Sequence, residues 1–218
     1  MGDKIYIDAL PPKSQTVFEG LRNKAFWKEF YLAGGTGLAL QIAHRISVDF
    51  DLFSFQNSLL SLDREKLLRV LKGVGRIEIE LSQDGTLQLF LNRVPISFFH
   101  YPFILISSTR NVGKMRIASV QDIGLMKIAA LIGRGSRRDF LDLYFIVREN
   151  ISLDRLFRLS EMKFTEIRDF PMQAMRALVY FEDAEKERMP KMLKPSSWKN
   201  VKEYFVREVG NLTDRFIK

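Results

Sequence analysis

The chain has 218 residues, 46% of them hydrophobic, and 34 lysines and arginines stand against 26 acids for a formal charge of +8. That length supports one domain or two small ones with a real core, and the positive balance suits an anionic partner such as a nucleic acid or a nucleotide. The lack of cysteine excludes a disulfide framework and a thiolate metal site, and neither a signal-peptide core nor the roughly 18 uninterrupted apolar residues of a membrane helix is present, so a soluble cytoplasmic protein with no membrane partner is expected.

In chain order, Val17, Leu21, Phe26 and Phe30 recur at helical spacing behind Pro12 and predict an opening helix. FYLAGG, from Phe30, is an apolar run ended by glycines, read as a buried strand entering a turn. TGLALQIAHR then reads as a helix with Thr36 at its N-cap. In ISVDFDLFSF, alternation predicts a strand with Val48, Phe50 and Leu52 on one face and Ser47, Asp49, Asp51 and Phe53 on the other. LDREKLLRVLKGVG is an amphipathic helix closed by glycine. RIEIEL, TLQLFLN and VPISFFHY alternate as a β-meander that turns at Asp84-Gly85 and Asn92-Arg93, and FILISST reads as a further strand or a return segment. From Ser119 the pattern is helical to the C-terminus, interrupted at RGS and at the linker-like MPKMLKPSSW. The chain therefore divides into an α/β half over 1–110 and a mostly helical half over 111–218.

Two stretches carry chemistry. Asp49 and Asp51 lie two residues apart, about 6.6–6.8 Å along a strand, and oxygen ligands of this kind suit Mg²⁺ shared with substrate phosphates; taken alone, such a pair is equally an exposed polar face. Gly34 and Gly35 let backbone approach a ligand, and a helix starting near Thr36 turns free N–H groups toward an anion, although the same residues also make an ordinary strand-to-helix turn. Together they have the two halves of a nucleoside triphosphate site, a phosphate cradle and a metal-binding acid pair. His44 and Arg45 end the intervening helix, where the dipole favours a cation; contact with nucleotide phosphate is the other reading, and Ser47 shares the acidic face.

The second stretch is SVQDIGLMKIAALIGRGSRRDFLDLY. Ser119 with Asp122 and Ser136 with Asp139 match the capping-box spacing. Asp142 lies among apolar residues and needs a cationic partner, and Lys127, mid-helix among apolar neighbours, must pair or snorkel. A Lys127–Asp142 pair, or both facing one nucleotide, satisfies each. Arg134, Arg137 and Arg138 read as a solvated basic loop or as contacts to triphosphate or RNA. Residues 110–148 hold eight basic residues against three acids, which is where a basic partner surface is expected.

With these residues in view, the chain resembles the AbiEii/AbiGii type of abortive-infection toxin, within the nucleotidyltransferase superfamily that includes polymerase β. The resemblance rests on FYLAGGTGLALQIAHRISVDFDLF, PISFFHYPF, MKIAALIGRGSRRDFLDLYFIV and ALVYFEDAE, and covers nearly the whole chain. It implies an α+β fold, a nucleotidyltransferase-like mixed β-sheet flanked by helices and followed by a helical half. It also implies transfer of a nucleoside monophosphate from an NTP with Mg²⁺ or Mn²⁺, an RNA or tRNA acceptor in some relatives (a protein acceptor is the other option), and a cognate antitoxin partner. Carried over, Gly34, Gly35, Asp49 and Asp51 match the phosphate and metal motif. Lys127 and Asp142 match the later Lys and Asp, with Asp139 the rival acid. Ser97 stands where the superfamily often places a third carboxylate; Asp142, Glu78 or Glu80 are the substitutes to consider. A catalytically silent RNA-binding protein and a metal nuclease using the same acids are the alternatives.

Overall fold

The structure, a computed structural model, describes residues 4–216, with side chains as far as Leu212. Two compact units divide the chain, Met1–Ser119 and Val120–Lys218.

The first unit opens with α1 (Pro12–Leu21), whose first residue is proline, tolerated there because its missing N–H has no intrahelical acceptor. The helix ends well short of Phe30. Lys24 is extended, and Ala25–Lys28 form a separate 3-10 turn. That break turns Phe26 and Phe30 together onto Phe98, with ring centroids 5.6 and 5.3 Å away and near-perpendicular planes. Aromatic edge-to-face packing thus overrides one continuous helix.

There follow β1 (Tyr31–Leu32), α2 (Gly34–Ile42), β2 (Phe50–Ser54), α3 (Ser61–Lys72), β3 (Ile77–Gln83), β4 (Thr86–Leu91), β5 (Val94–His100), β6 (Arg110–Val112) and β7 (Met115–Ile117). The strands form one 7-stranded sheet in the order β3-β4-β5-β2-β1-β7-β6. It is mixed: β1 with β7 and β2 with β5 run parallel, and the other neighbours antiparallel. The predicted meander is β3-β4-β5, and Asn92 and Arg93 both take positive φ, 51° and 67°, which matches the right-handed twist of a two-residue hairpin. FILISST contributes no strand; regular pairing resumes at Arg110. One core of aliphatic and aromatic side chains, including Phe50, Leu52, Leu89, Ile96 and Phe98, underlies the sheet.

The second unit is helical: α4 (Val120–Gly133), α5 (Arg137–Glu149), α6 (Leu153–Lys163), α7 (Phe170–Leu178), α8 (Glu182–Lys186) and α9 (Trp198–Phe216). Phe140 of α5 anchors it, with the rings of Phe181, Trp198 and Phe205 within 5.7 Å of its own. No helix among the described residues is long and apolar enough to cross a membrane. The fold is thus α+β with a mixed sheet and a helical C-terminal half.

An ion pair that composition did not foretell joins α4 to α6. Lys163 Nζ lies 3.2 Å from Asp122 Oδ1, and both side chains are fully buried. Asp122, read from spacing as half of a capping box, is the carboxylate that pairs with this lysine. Burial pushes the Lys163 pKa down from 10.5, with Asp122 opposing the shift. The unfolded chain therefore binds more protons between that lowered pKa and 10.5, and stability from this group rises with pH across that window. In urea unfolding, Asp122→Leu or Lys163→Met alone is expected to remove about 3–5 kcal/mol, and the double variant to recover most of it or to exceed the parent. The double variant should also lose the alkaline rise in stability.

Candidate functional site

The turn between β1 and α2 is made by Gly34. Its φ is 60°, a left-handed conformation that disfavours any side chain, and a Cβ there would lie 2.5 Å from Asp51 Oδ2. The Asp51 carboxylate therefore rests against a bare Cα, while its carbonyl accepts the Ala33 N–H at 3.0 Å. The helix begins three residues earlier than its sequence suggested: Ala33 is the N-cap, and it makes no side-chain cap hydrogen bond. Thr36 is the third helical residue instead of the cap. Its hydroxyl is within hydrogen-bond distance of the Asp49 carbonyl oxygen and of Ser47 Oγ, the latter at 2.9 Å. Ser47 Oγ in turn lies 3.5 Å from Asp49 Oδ1. Thr36 and Ser47, both buried, thus tie the acidic segment to the first turn of α2.

The helix stops at Ile42, because Ala43 turns left-handed with φ 49°. His44 and Arg45 consequently lie beyond it. His44 is wholly buried, a packing position. Arg45 comes back to the opposite end of the helix: a Cβ at Gly35 would collide with its guanidinium, and its Nη1 donates to Ile46 O at 3.1 Å. The guanidinium, 4% exposed, is thus held beside Gly35 at the start of α2.

Strand β2 begins at Phe50, so Asp51 is on the sheet and Asp49 just precedes it. Phe50 and Leu52 face the core as expected, whereas Val48 is 46% exposed because the chain has not yet joined the sheet there. Asp49 and Asp51 are both partly exposed. The residue beside Asp51 on the parallel neighbour β5 is Ser97. The resemblance would put a third acid here, and a serine occupies the position. Glu78 and Glu80 cannot substitute: β3 is the sheet edge, three strands from β2, or about 14 Å, and Glu78 Oε1 pairs with Arg76 at 3.2 Å. Among the described residues no cluster of three or more His, Cys, Asp or Glu suited to a metal ion occurs. The two aspartates nonetheless fit Mg²⁺ in its usual mode, one or two carboxylates completed by water and substrate phosphate.

In the second unit Lys127 of α4 is gripped by two carboxylates of α5, with Nζ 2.6 Å from Asp139 Oδ1 and 2.6 Å from Asp142 Oδ2. Arg134 Nε, on a largely exposed side chain, reaches Asp139 Oδ2 at 3.1 Å. The Ser136–Asp139 capping box does not form. Ser136 Oγ bonds Glu187 Oε2 at 3.1 Å, and Asp139 turns inward to the lysine. The Lys127–Asp142 contact follows from the apolar setting of both residues, and the second aspartate follows from the i, i+3 spacing on one helix face. Arg137, read with Arg134 and Arg138 as a solvated basic loop or a phosphate contact, instead opens α5 with its guanidinium 4.8 Å from the Trp198 ring and donating to Ala184 O at 2.8 Å, which binds α5 to α8 and α9.

Two substitutions probe these arrangements. Gly34→Ala is expected to cost about 1–2 kcal/mol in urea unfolding from the left-handed φ, and to displace the Asp51 carboxylate in a crystal structure of the variant. Lys127→Met, which leaves two buried carboxylates without their shared cation, is expected to lower stability by about 3–5 kcal/mol.

Residues 17–214 match the family described as nucleotidyl transferase AbiEii toxin, type IV TA system. A protein of Aquifex aeolicus (strain VF5) described as "Uncharacterized protein aq_aa25" is 33% identical over 203 residues, spanning 92% of this chain and 96% of that one. The fold is similar to that of MenT4, a nucleotidyltransferase toxin from Mycobacterium tuberculosis H37Rv, with a TM-score of 0.59, 13% identity, and coverage of 94% of this chain and 86% of the other. Since the match runs through the glycine bend, the paired aspartates and the Lys127 cluster almost to the end of the chain, the protein belongs to the AbiEii nucleotidyl transferase toxin family of type IV toxin–antitoxin systems.

Proposed function

We propose that the protein transfers a nucleoside monophosphate from an NTP to a hydroxyl of an RNA acceptor, a tRNA end in the first instance, and is held in check by a cognate antitoxin. The observation that carries this reading is the Asp51 carboxylate lying on the bare Cα of Gly34 at the start of α2, where the N-cap residue is an alanine. A triphosphate seated there meets the first-turn amides of Gly34, Gly35 and Thr36, with the Arg45 guanidinium beside them. Asp49 and Asp51 would hold Mg²⁺ or Mn²⁺, which supplies charge neutralisation at the reacting α-phosphate and its leaving group. The acceptor oxygen forms a bond to the α-phosphorus, the bond to the β-phosphate oxygen breaks, pyrophosphate leaves, and the hydroxyl proton is lost to solvent or to a carboxylate. Catalysis in such a site is mainly positioning and charge stabilisation. In the second unit, the direct contact of Asp142 with Lys127 and its full burial favour an orienting role over that of a base.

Ser97 beside Asp51 favours one alternative, a family member that binds RNA without transferring nucleotide. The two separate in one experiment, in which purified protein is incubated with each α-labelled NTP, Mg²⁺ and total RNA. The parent is expected to label RNA, and Asp49→Asn and Asp51→Asn to lower labelling by at least ~100-fold with unchanged circular dichroism. Undiminished labelling by either variant would overturn its metal role. Salt-sensitive RNA binding without labelling would identify the silent alternative, and cleavage without any nucleotide would identify a nuclease.

A further inference from the structure

A second basic feature lies wholly within the first unit, at the other end of β1 from the glycine bend. β1 and β7 run parallel with Leu32 beside Ile117. The segment before β1 and the β6–β7 turn therefore meet at one end of the sheet, and Gly34 follows β1 at the other. Where they meet is a cleft of about 330 Å³ lined by Lys24, Lys28, Lys114 and Arg116, with Thr109 and Asn111 alongside. No carboxylate lines it. Among the described residues none of its three lysines is ion-paired, whereas Lys186, Lys194, Lys199 and Lys202 of the helical half have each found an acid.

The cleft is braced. The Lys114 and Met115 amides both donate to Arg22 O, at 3.0 and 2.9 Å. Gly113, with φ 62°, brings its Cα so close to Asn23 that a Cβ would lie 2.5 Å from Asn23 Oδ1. Arg116 ties the walls across, donating from Nη1 to Lys28 O at 3.2 Å and from Nε to Thr109 Oγ1 at 3.4 Å. The cations thus project from a frame that is already set, and their mutual repulsion is relieved only by an outside anion.

The lining decides what kind of anion. Trp27, the aromatic residue of the cleft, is 1% exposed and offers no face for a base to stack on. Cations with hydroxyl and amide groups, but no stacking platform, suit the phosphodiester backbone instead of a base or a free nucleotide. Gly34 lies six positions after Lys28, at most about 20 Å of chain, a span that a short RNA stem covers. We infer that this cleft grips the phosphate backbone of the RNA whose end is presented at the glycine bend, an inference that rests on the RNA-acceptor reading above.

The test uses the full chain and a Lys24→Ala/Lys28→Ala/Lys114→Ala variant, whose fold is checked by circular dichroism. Binding of labelled total tRNA is measured over a range of salt without metal or nucleotide, with polyglutamate as competitor. The variant is expected to bind at least ~10-fold more weakly, and the slope of log K against log salt to shrink by about 2–3, near 0.7–0.9 for each lost phosphate contact. Parental affinity and slope in the variant, no RNA binding by the parent, or polyglutamate displacing RNA at equal charge would each overturn the inference, the last in favour of an acidic protein partner. Because binding is read without metal or NTP, a failure of the transfer reaction leaves a lysine-dependent result standing.

Discussion

The placement of one carboxylate against one missing side chain organises the first unit. Asp51 can lie on the Gly34 Cα only because residue 34 has no Cβ and tolerates φ 60°. That contact sets the start of α2 beside the acidic end of β2. Thr36 and Ser47 then lock the two segments together from inside, and Arg45 closes over Gly35. Positive helix end, buried guanidinium and carboxylates are thereby packed within a few residues of one another. Packing alone thus gathers charges of both signs at the glycine bend, which is the arrangement the proposed function draws on.

The second unit follows a different electrostatic logic. Lys127 with Asp139 and Asp142, and Lys163 with Asp122, are buried charges satisfied by one another. Buried pairs of this kind add little net stability but are costly to break from one side, so they specify which helix faces meet. The Ser136–Asp139 spacing that read as a capping box was overridden for this reason: an exposed cap is worth about 1 kcal/mol, less than the penalty of a buried lysine left alone. Asp139 accordingly turns inward to Lys127.

Ser97 is where local pattern and sheet register had to be read together. Its alignment beside Asp51 depends on the parallel pairing of β2 with β5, which brings together residues 46 positions apart. The same topology puts the meander's first strand at the edge and removes Glu78 and Glu80 from consideration. On the proposed function, two carboxylates at this place would leave the substrate's own phosphates to complete a metal's coordination.

What local sequence determined was element type and much of the site: the glycine turn, the alternation of Phe50 to Phe53, the meander with its two-residue turns, the helical C-terminal half, and the need of Lys127 and Asp142 for partners. These are properties of short-range backbone preference and of polarity in an apolar neighbourhood. Tertiary structure alone decided the remainder. The opening helix broke after Leu21 because aromatic rings gained more by meeting Phe98 than by continuing the helix. Arg45 went to the start of α2 because Ala43 reversed the chain, and the basic cleft arose because parallel strands bring residues 24–28 to 113–116. Periodicity encodes which face of an element is buried; it carries no information about which distant element covers that face, and charge pairing, register and concavity all depend on the latter.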